Sequence, residues 1–300
     1  MNPAEAQVME KPVEASKLRD YAVFIKMRLA TLVVFSAAIS YIIGTGSGMD
    51  WFKLGMLVLG GFLVTGSSNG FNQVIERDLD KLMDRTKKRP LPQERMNVTE
   101  ALVLASVMGA AGIFILTYFM NPMSGLLGAL ALLLYTVVYT PLKRKTPLAV
   151  FVGAFPGAIP AMLGYVASTA GFGQITFPAW VLFAVQFMWQ FPHFWAIAWV
   201  MDDDYKKAGF KMLPSLGGRD RASAFQALMY ALFLIPISLS PFFFHIAHSQ
   251  ISAVVVLACG MFFAYQAYRL FRDLTVKAAQ QLMFGSFFYL PVVQLAIMLG

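Results

Sequence analysis

Nine stretches of this chain are each long and apolar enough to cross a lipid bilayer as a helix. They run over roughly 25–44, 54–75, 100–119, 123–141, 147–168, 177–201, 222–246, 250–271 and 281–299. A spanning helix needs about 20 mostly apolar residues, and inside hydrocarbon a helix satisfies its own backbone N–H and C=O groups. Nine such runs in 300 residues leave room for little else. The expectation is an all-α membrane protein: one transmembrane domain over 17–300 built as a helix bundle, behind a flexible tail over 1–16. Composition agrees, with 58% hydrophobic and 13% charged residues, against roughly 45–50% and about 25% in soluble domains. Alternating strand patterns are absent, which argues against an outer-membrane barrel. The single cysteine, Cys259, excludes an intrachain disulfide or a thiolate metal cluster.

The charges alternate with the spans. Connections after the second, fourth, sixth and eighth spans carry Arg77 to Arg95, Lys143 to Lys145, Lys206 to Arg221 and Arg269 to Lys277, whereas the opposite connections carry only Lys53. The N-terminal segment adds Lys11, Lys17, Arg19, Lys26 and Arg28. The positive-inside rule then puts the N-terminus and these four loops in the cytoplasm. The net charge of +8 belongs to one membrane face, where orientation and anionic lipid account for most of it; nothing points to nucleic acid. Residues 1–16 contain Glu5, Glu10 and Glu14 and no arginine, unlike a mitochondrial transit peptide, and no cleavable signal precedes the first span. A bacterial inner membrane is the expected home.

Against this apolar background the segment from Asn72 to Pro90 is exceptional. It starts inside a hydrophobic run and then packs Glu76, Asp78, Asp80 and Asp84 among six bases. If the second span continues as a helix, Asn72, Glu76 and Asp80 share one face at steps of four, with Asp84 drifting from it and Asp78 pointing away. Oxygen ligands on one face suit Mg²⁺, which shares its coordination with waters and phosphate oxygens, and Arg85, Lys87, Lys88 and Arg89 could take phosphate. The competing reading is a solvated helix end with ion pairs such as Asp80 to Arg85. The loop after the sixth span has a similar order: acids Asp202, Asp203 and Asp204, then bases, then Leu213-Pro214, as Leu91-Pro92 closes the first. Asp202 and Asp203 read as a helix cap pairing with Lys206 and Lys207, which leaves Asp204 for the metal. Tyr139 and Lys143, four apart after the fourth span, suit a diphosphate or a plain aromatic-belt anchor. His193 lies deep in the sixth span, where an ionisable group is a functional candidate; His245 and His248 read as interfacial.

Taken together these residues resemble the UbiA superfamily of membrane prenyltransferases, over nearly the whole chain. The matching words are Asn72-x-x-x-Glu76-x-Asp78-x-Asp80 with Met83, Arg85, Thr86 and Arg89-Pro90-Leu91; Tyr139-x-x-x-Lys143; and Asp202 to Asp204. Leu142-Lys143-Arg144-x-Thr146-Pro147 and Trp189-Gln190-x-Pro192-His193-Phe194 are similar to the haem-modifying branch. Gln73 and Glu76 stand where quinone-pathway relatives usually carry aspartate. The resemblance implies a UbiA-like bundle that transfers farnesyl from farnesyl diphosphate to a vinyl group of haem b, giving haem O. It implies Mg²⁺ held by Asn72, Glu76, Asp80 and Asp204; diphosphate bound by Arg85, Arg89, Tyr139, Lys143 and Arg144; and haem contacted by His193. A haem-modifying oxygenase or terminal oxidase assembly is an implied partner. Two alternatives stay open: an aromatic quinone-precursor acceptor, and a haem carrier or transporter.

Overall fold

The computed structural model describes residues 16–300, so the expected tail, Ser16 excepted, lies outside the described residues. In chain order the helices are α1 (Lys17–Phe24), α2 (Met27–Thr45), α3 (Trp51–Ile75), α4 (Arg77–Asp80), α5 (Val98–Met120), α6 (Pro122–Leu142), α7 (Ala149–Ala167), α8 (Phe177–Val200), α9 (Asp202–Lys207), α10 (Arg221–Phe243), α11 (Gln250–Asp273) and α12 (Val276–Leu299). Nine of these, all but α1, α4 and α9, are long and apolar enough to span a membrane. They match the nine expected stretches. The largest boundary difference is at α12, which starts at Val276 rather than near 281. Polar Lys277, Gln280 and Gln281 hide its first turn from a hydropathy reading, while Thr275 caps it by accepting from the Ala278 N–H at 3.2 Å.

Side-chain caps fix several other helix starts. Asp50 accepts from the N–H groups of Phe52 and Lys53. Asn97 accepts from Glu100, Asn121 from Ser124 and Asp220 from Ser223. Each such cap is worth about 1 kcal/mol and stops the span at the membrane surface.

Each spanning helix packs on the next, and α12 returns to pack on α2, so the bundle closes on itself. Two glycines set how near the axes approach. A Cβ on Gly112 would lie 2.8 Å from the Gly60 carbonyl oxygen, and one on Gly164 would lie 2.0 Å from that of Ala37. Small residues at such crossings let backbones touch where lipid supplies no hydrophobic drive. Polar glue joins four helices near the middle: Ser36 donates to Gln294 Oε1 (3.1 Å), Gln294 to Gln186 Oε1 (2.9 Å) and Gln186 to the Gly157 carbonyl (3.3 Å). Val103, Val107, Phe233, Phe262 and Phe288 point outward, exposed, as lipid-facing residues should.

The end of α6 departs from α-geometry. Leu134–Tyr139 forms a π-helical turn just before Pro141. A proline cannot donate to, and crowds, the carbonyl four residues back, and a widened turn relieves this. The bulge carries both Tyr135 and Tyr139 toward the bundle interior.

Candidate active site

Two chambers lie within the bundle, and they join. The first, of about 350 Å³, is at the basic end and is lined by Lys26, Asn72, Glu76, Asp80, Arg85, Arg89 and Lys143 among others. The second, of about 370 Å³, runs deeper between the spans and is mostly apolar, bounded by residues such as Val34, Val64, Pro156 and Leu290, with His193, Gln186 and Gln190 as its polar wall. Leu29, Tyr135, Tyr139, Phe194, Ile197 and Phe287 line both and form the neck.

The acidic stripe is real. α3 breaks at Glu76, whose backbone leaves the helical range, but the chain resumes at once as α4. Backbone bonds from Glu76 N–H to Asn72 C=O (3.0 Å) and from Asp80 N–H to Glu76 C=O (2.8 Å) keep the register, so Asn72, Glu76 and Asp80 face one chamber. Asp78 points to solvent and pairs with Arg77 and Lys81. Asp84 leaves the stripe altogether, pairing outside with Lys87 and Lys207.

Each stripe residue has a cationic or polar neighbour. The Glu76 carboxylate lies 2.9 Å from Lys143 Nζ through Oε1 and 3.2 Å through Oε2. Asp80 Oδ2 accepts from Arg89 at 2.7 Å, rather than pairing with Arg85. Asn72 accepts from Lys26 Nζ and donates to Thr140 Oγ1, both at 3.3 Å. Burial pushes the Asp80 carboxyl upward, against the pull of Arg89. On Lys143 burial pushes the ammonium down, but the charge and hydrogen bond of Glu76, with Tyr135 and Tyr205 nearby, together outweigh it and leave the group raised.

Asp80 Oδ1 is buried with no hydrogen-bond partner, an arrangement that is costly unless a cation or donor meets it. Four cations line this chamber against two carboxylates, so it holds a surplus of positive charge. Among the described residues no group of three or more His, Cys, Asp or Glu side chains is placed to hold a metal alone. The donor set therefore fits a hard cation that shares its shell with an anionic ligand and water, as Mg²⁺ does with phosphates, and not a protein-only cage.

Three expected site residues are elsewhere. Asp204 does not line the chamber. Its carboxylate accepts from the backbone N–H groups of Asp84 (2.8 Å) and Arg85 (3.2 Å) and pairs with Lys207. These donors outweigh the effect of burial and hold it below the ordinary carboxylate range. Its oxygens are occupied by the first loop's backbone, which corrects the expectation that they face the metal. Arg144 is exposed and outside the chamber, because the turn after α6 directs only Lys143 inward. His193 sits in the apolar chamber, stacked on Trp189 with ring centroids 4.3 Å apart. Of the other acids, Asp202 pairs with Lys206 as expected, while Asp203 pairs with Arg219 instead of Lys207.

Lys26 was missed by sequence reasoning, which counted it only among the orienting bases. It is placed by buried donors on α3. Gln73 donates to the carbonyls of Phe24 (2.6 Å) and Val23 (3.3 Å), and Asn69 donates to that of Ile25 (3.1 Å). With the end of α1 thus pinned, the backbone turns at Lys26 through a left-handed conformation, φ +50°, uncommon for a residue with a side chain. Burial, with Arg89 and Lys143 nearby, pushes its ammonium down to about 7.

The UbiA prenyltransferase family matches residues 33–290. A protein of Cytophaga hutchinsonii named "Protoheme IX farnesyltransferase" is 45% identical, covering 95% of this chain and 98% of the relative. One of the same name from Christiangramia forsetii is 46% identical over 95% and 94%. A solved structure of a UbiA homolog from Archaeoglobus fulgidus bound to GPP and Mg²⁺ superposes with a TM-score of 0.73 at 14% identity, covering 93% of this chain and 99% of that one.

Proposed function

The chain belongs to the UbiA prenyltransferase family, and from that premise we propose that it is a protohaem IX farnesyltransferase: it transfers the farnesyl group of farnesyl diphosphate to a vinyl group of haem b, giving haem O and free diphosphate. One observation carries the reading most: a cation-rich polar chamber opens through an aromatic neck into an apolar one, the shape of a prenyl diphosphate laid head-out and tail-in. Identity of 45% over nearly full length to relatives of that name supports haem as the acceptor.

The residues divide the work. Lys26, Arg85, Arg89 and Lys143 neutralise the diphosphate, making it a better leaving group when the allylic C–O bond breaks and its electron pair departs. Asn72, Glu76 and Asp80 would hold Mg²⁺, which supplies Lewis-acid stabilisation of the departing oxygens. Tyr135, Tyr139, Phe194 and Phe287 at the neck present π faces to the allylic cation and keep water from it. The haem vinyl group then supplies the electron pair for the new C–C bond. Water takes up the resulting charge beside the porphyrin and loses a proton, completing a hydroxyethylfarnesyl side chain. His193, across the apolar chamber, contacts the haem.

The basic end faces the cytoplasm of a bacterial inner membrane in this reading, and the apolar product passes to a haem-modifying oxygenase or terminal oxidase assembly. The test is direct. The purified protein is incubated with Mg²⁺, farnesyl diphosphate and haem b, and the porphyrin is weighed by mass spectrometry. A product heavier by one farnesyl group and one hydroxyl is expected. Unchanged haem b, with a phenolic quinone precursor prenylated in its place, would refute the haem acceptor.

A further inference from the structure

The apolar chamber contains a hydrogen-bond chain with a defined direction. His193 Nδ1 lies 2.6 Å from Ser286 Oγ, and that same Oγ lies 2.5 Å from the carbonyl oxygen of Met283, one turn back along α12. The hydroxyl has a single proton. A carbonyl oxygen can only accept, and two oxygens at that separation repel unless a proton lies between them. The proton therefore sits toward Met283, and Ser286 is left to accept from Nδ1–H. This fixes the neutral imidazole as the Nδ1–H tautomer, with a bare lone pair on Nε2. Nε2 has no hydrogen-bond partner among the described residues, and His193 lines the apolar chamber. Two further contacts hold the ring and Ser286 in place: the Trp189 indole stacks on the imidazole at 18°, and its Nε1–H donates to the Ser286 carbonyl at 3.1 Å.

We propose that Ser286 is a positioning residue that orients His193 so that its bare Nε2 coordinates the haem iron as an axial ligand. This deepens, and rests on, the reading that His193 contacts haem. The geometry gives a reason for a serine on a mostly apolar stretch of α12: an alanine there would leave Nδ1–H buried without an acceptor, and the ring would be free to turn Nδ1 or its other tautomer toward the chamber. Metal-bound imidazoles regularly donate their second N–H to such an acceptor, and losing that acceptor typically weakens metal binding by about 10–100-fold.

The test titrates ferric haem b into detergent-purified full-length protein and follows the Soret band in four forms: wild type, Ser286→Ala, His193→Ala and the double variant. Ser286→Ala removes one oxygen and keeps the packing. We expect it to weaken haem binding about tenfold in the wild-type background and to have no further effect once His193 is alanine. The His193→Ala protein should lose the imidazole-ligated spectrum, and added free imidazole should restore it. If His193→Ala changes the spectrum and Ser286→Ala changes nothing, the positioning role is overturned while the haem contact stands. The same loss from Ser286→Ala in both backgrounds would likewise overturn it. An unchanged spectrum in His193→Ala would remove the contact itself and this inference with it.

Discussion

Asp80 is fully buried, its Oδ2 bound to Arg89 and its Oδ1 without a partner. A carboxylate so placed is expensive, and the expense is understood if a cation completes it in the working enzyme. Asp80→Asn keeps the size and loses the charge, so turnover should fall by about a hundredfold or more with haem binding, read from the Soret band, unchanged. Asp78→Asn, on the solvent side of the same turn, should stay within about twofold. Lys26 gives a pH dependence. Its ammonium is held down to about 7, so the free protein loses this cation as pH rises through neutrality, and binding an anionic head then requires a proton to be taken up. The KM for farnesyl diphosphate should rise up to about tenfold per pH unit above 7. Lys26→Arg, which stays charged, should flatten the slope in parallel assays; an equal slope in both proteins would remove Lys26 from the site. Gln73 explains why the residue after Asn72 is an amide here. Its work is to donate to two carbonyls at the end of α1, and an ionised aspartate has no proton to give.

At the scale of elements, the loops after α3 and α8 meet, but not as two sets of metal ligands. Asp204 on α9 clasps the backbone of the first loop. Asp204→Ala should therefore cost stability, about 1–3 kcal/mol for hydrogen bonds to a charged group, toward the low end because the clasp is partly exposed. It should quicken proteolysis between Asp84 and Met96 and raise KM more than it lowers kcat. A loss of kcat as deep as that of Asp80→Asn would instead restore Asp204 to the metal. The contrast shows what sequence could deliver. The stripe Asn72, Glu76, Asp80 is local, four residues per step along one helix, and periodicity reveals it. Asp204 meets the first loop at a separation of 120 residues, and nothing in its own neighbourhood distinguishes a clasp from a ligand. Lys26 depends on Gln73, and Ser286 on His193 at a separation of 93. Such partners are set by packing between spans, which hydropathy does not encode. The span count was legible for the opposite reason: in hydrocarbon each helix satisfies its own backbone and declares itself by length alone.

For the whole molecule, the bases, the acidic stripe and the polar chamber all gather at one end of the bundle, and the orientation proposed from the charge bias turns that end to the cytoplasm. Two single cysteines in a Cys259→Ala background check this. Leu216→Cys, in the exposed loop between α9 and α10, should react with a membrane-impermeant maleimide only in inverted vesicles. Gln174→Cys, exposed between α7 and α8 at the other end, should react only in intact spheroplasts. The reverse pattern would turn the site outward, away from the supply of prenyl diphosphate.

The closure of α12 onto α2 also bears on when the protein becomes competent. Ser286 and Phe287 belong to the ninth span, which leaves the ribosome only after the side chains proposed to grip the diphosphate are already in the bilayer. Until that helix is seated, the chamber wall is open along one side and Nδ1 of His193 has nowhere to place its proton. A half-translated chain could thus grip an activated isoprenoid but not shelter its cation. Fluorescent prenyl-diphosphate analogues should be held, and not turned over, by ribosome-stalled chains that stop before α12.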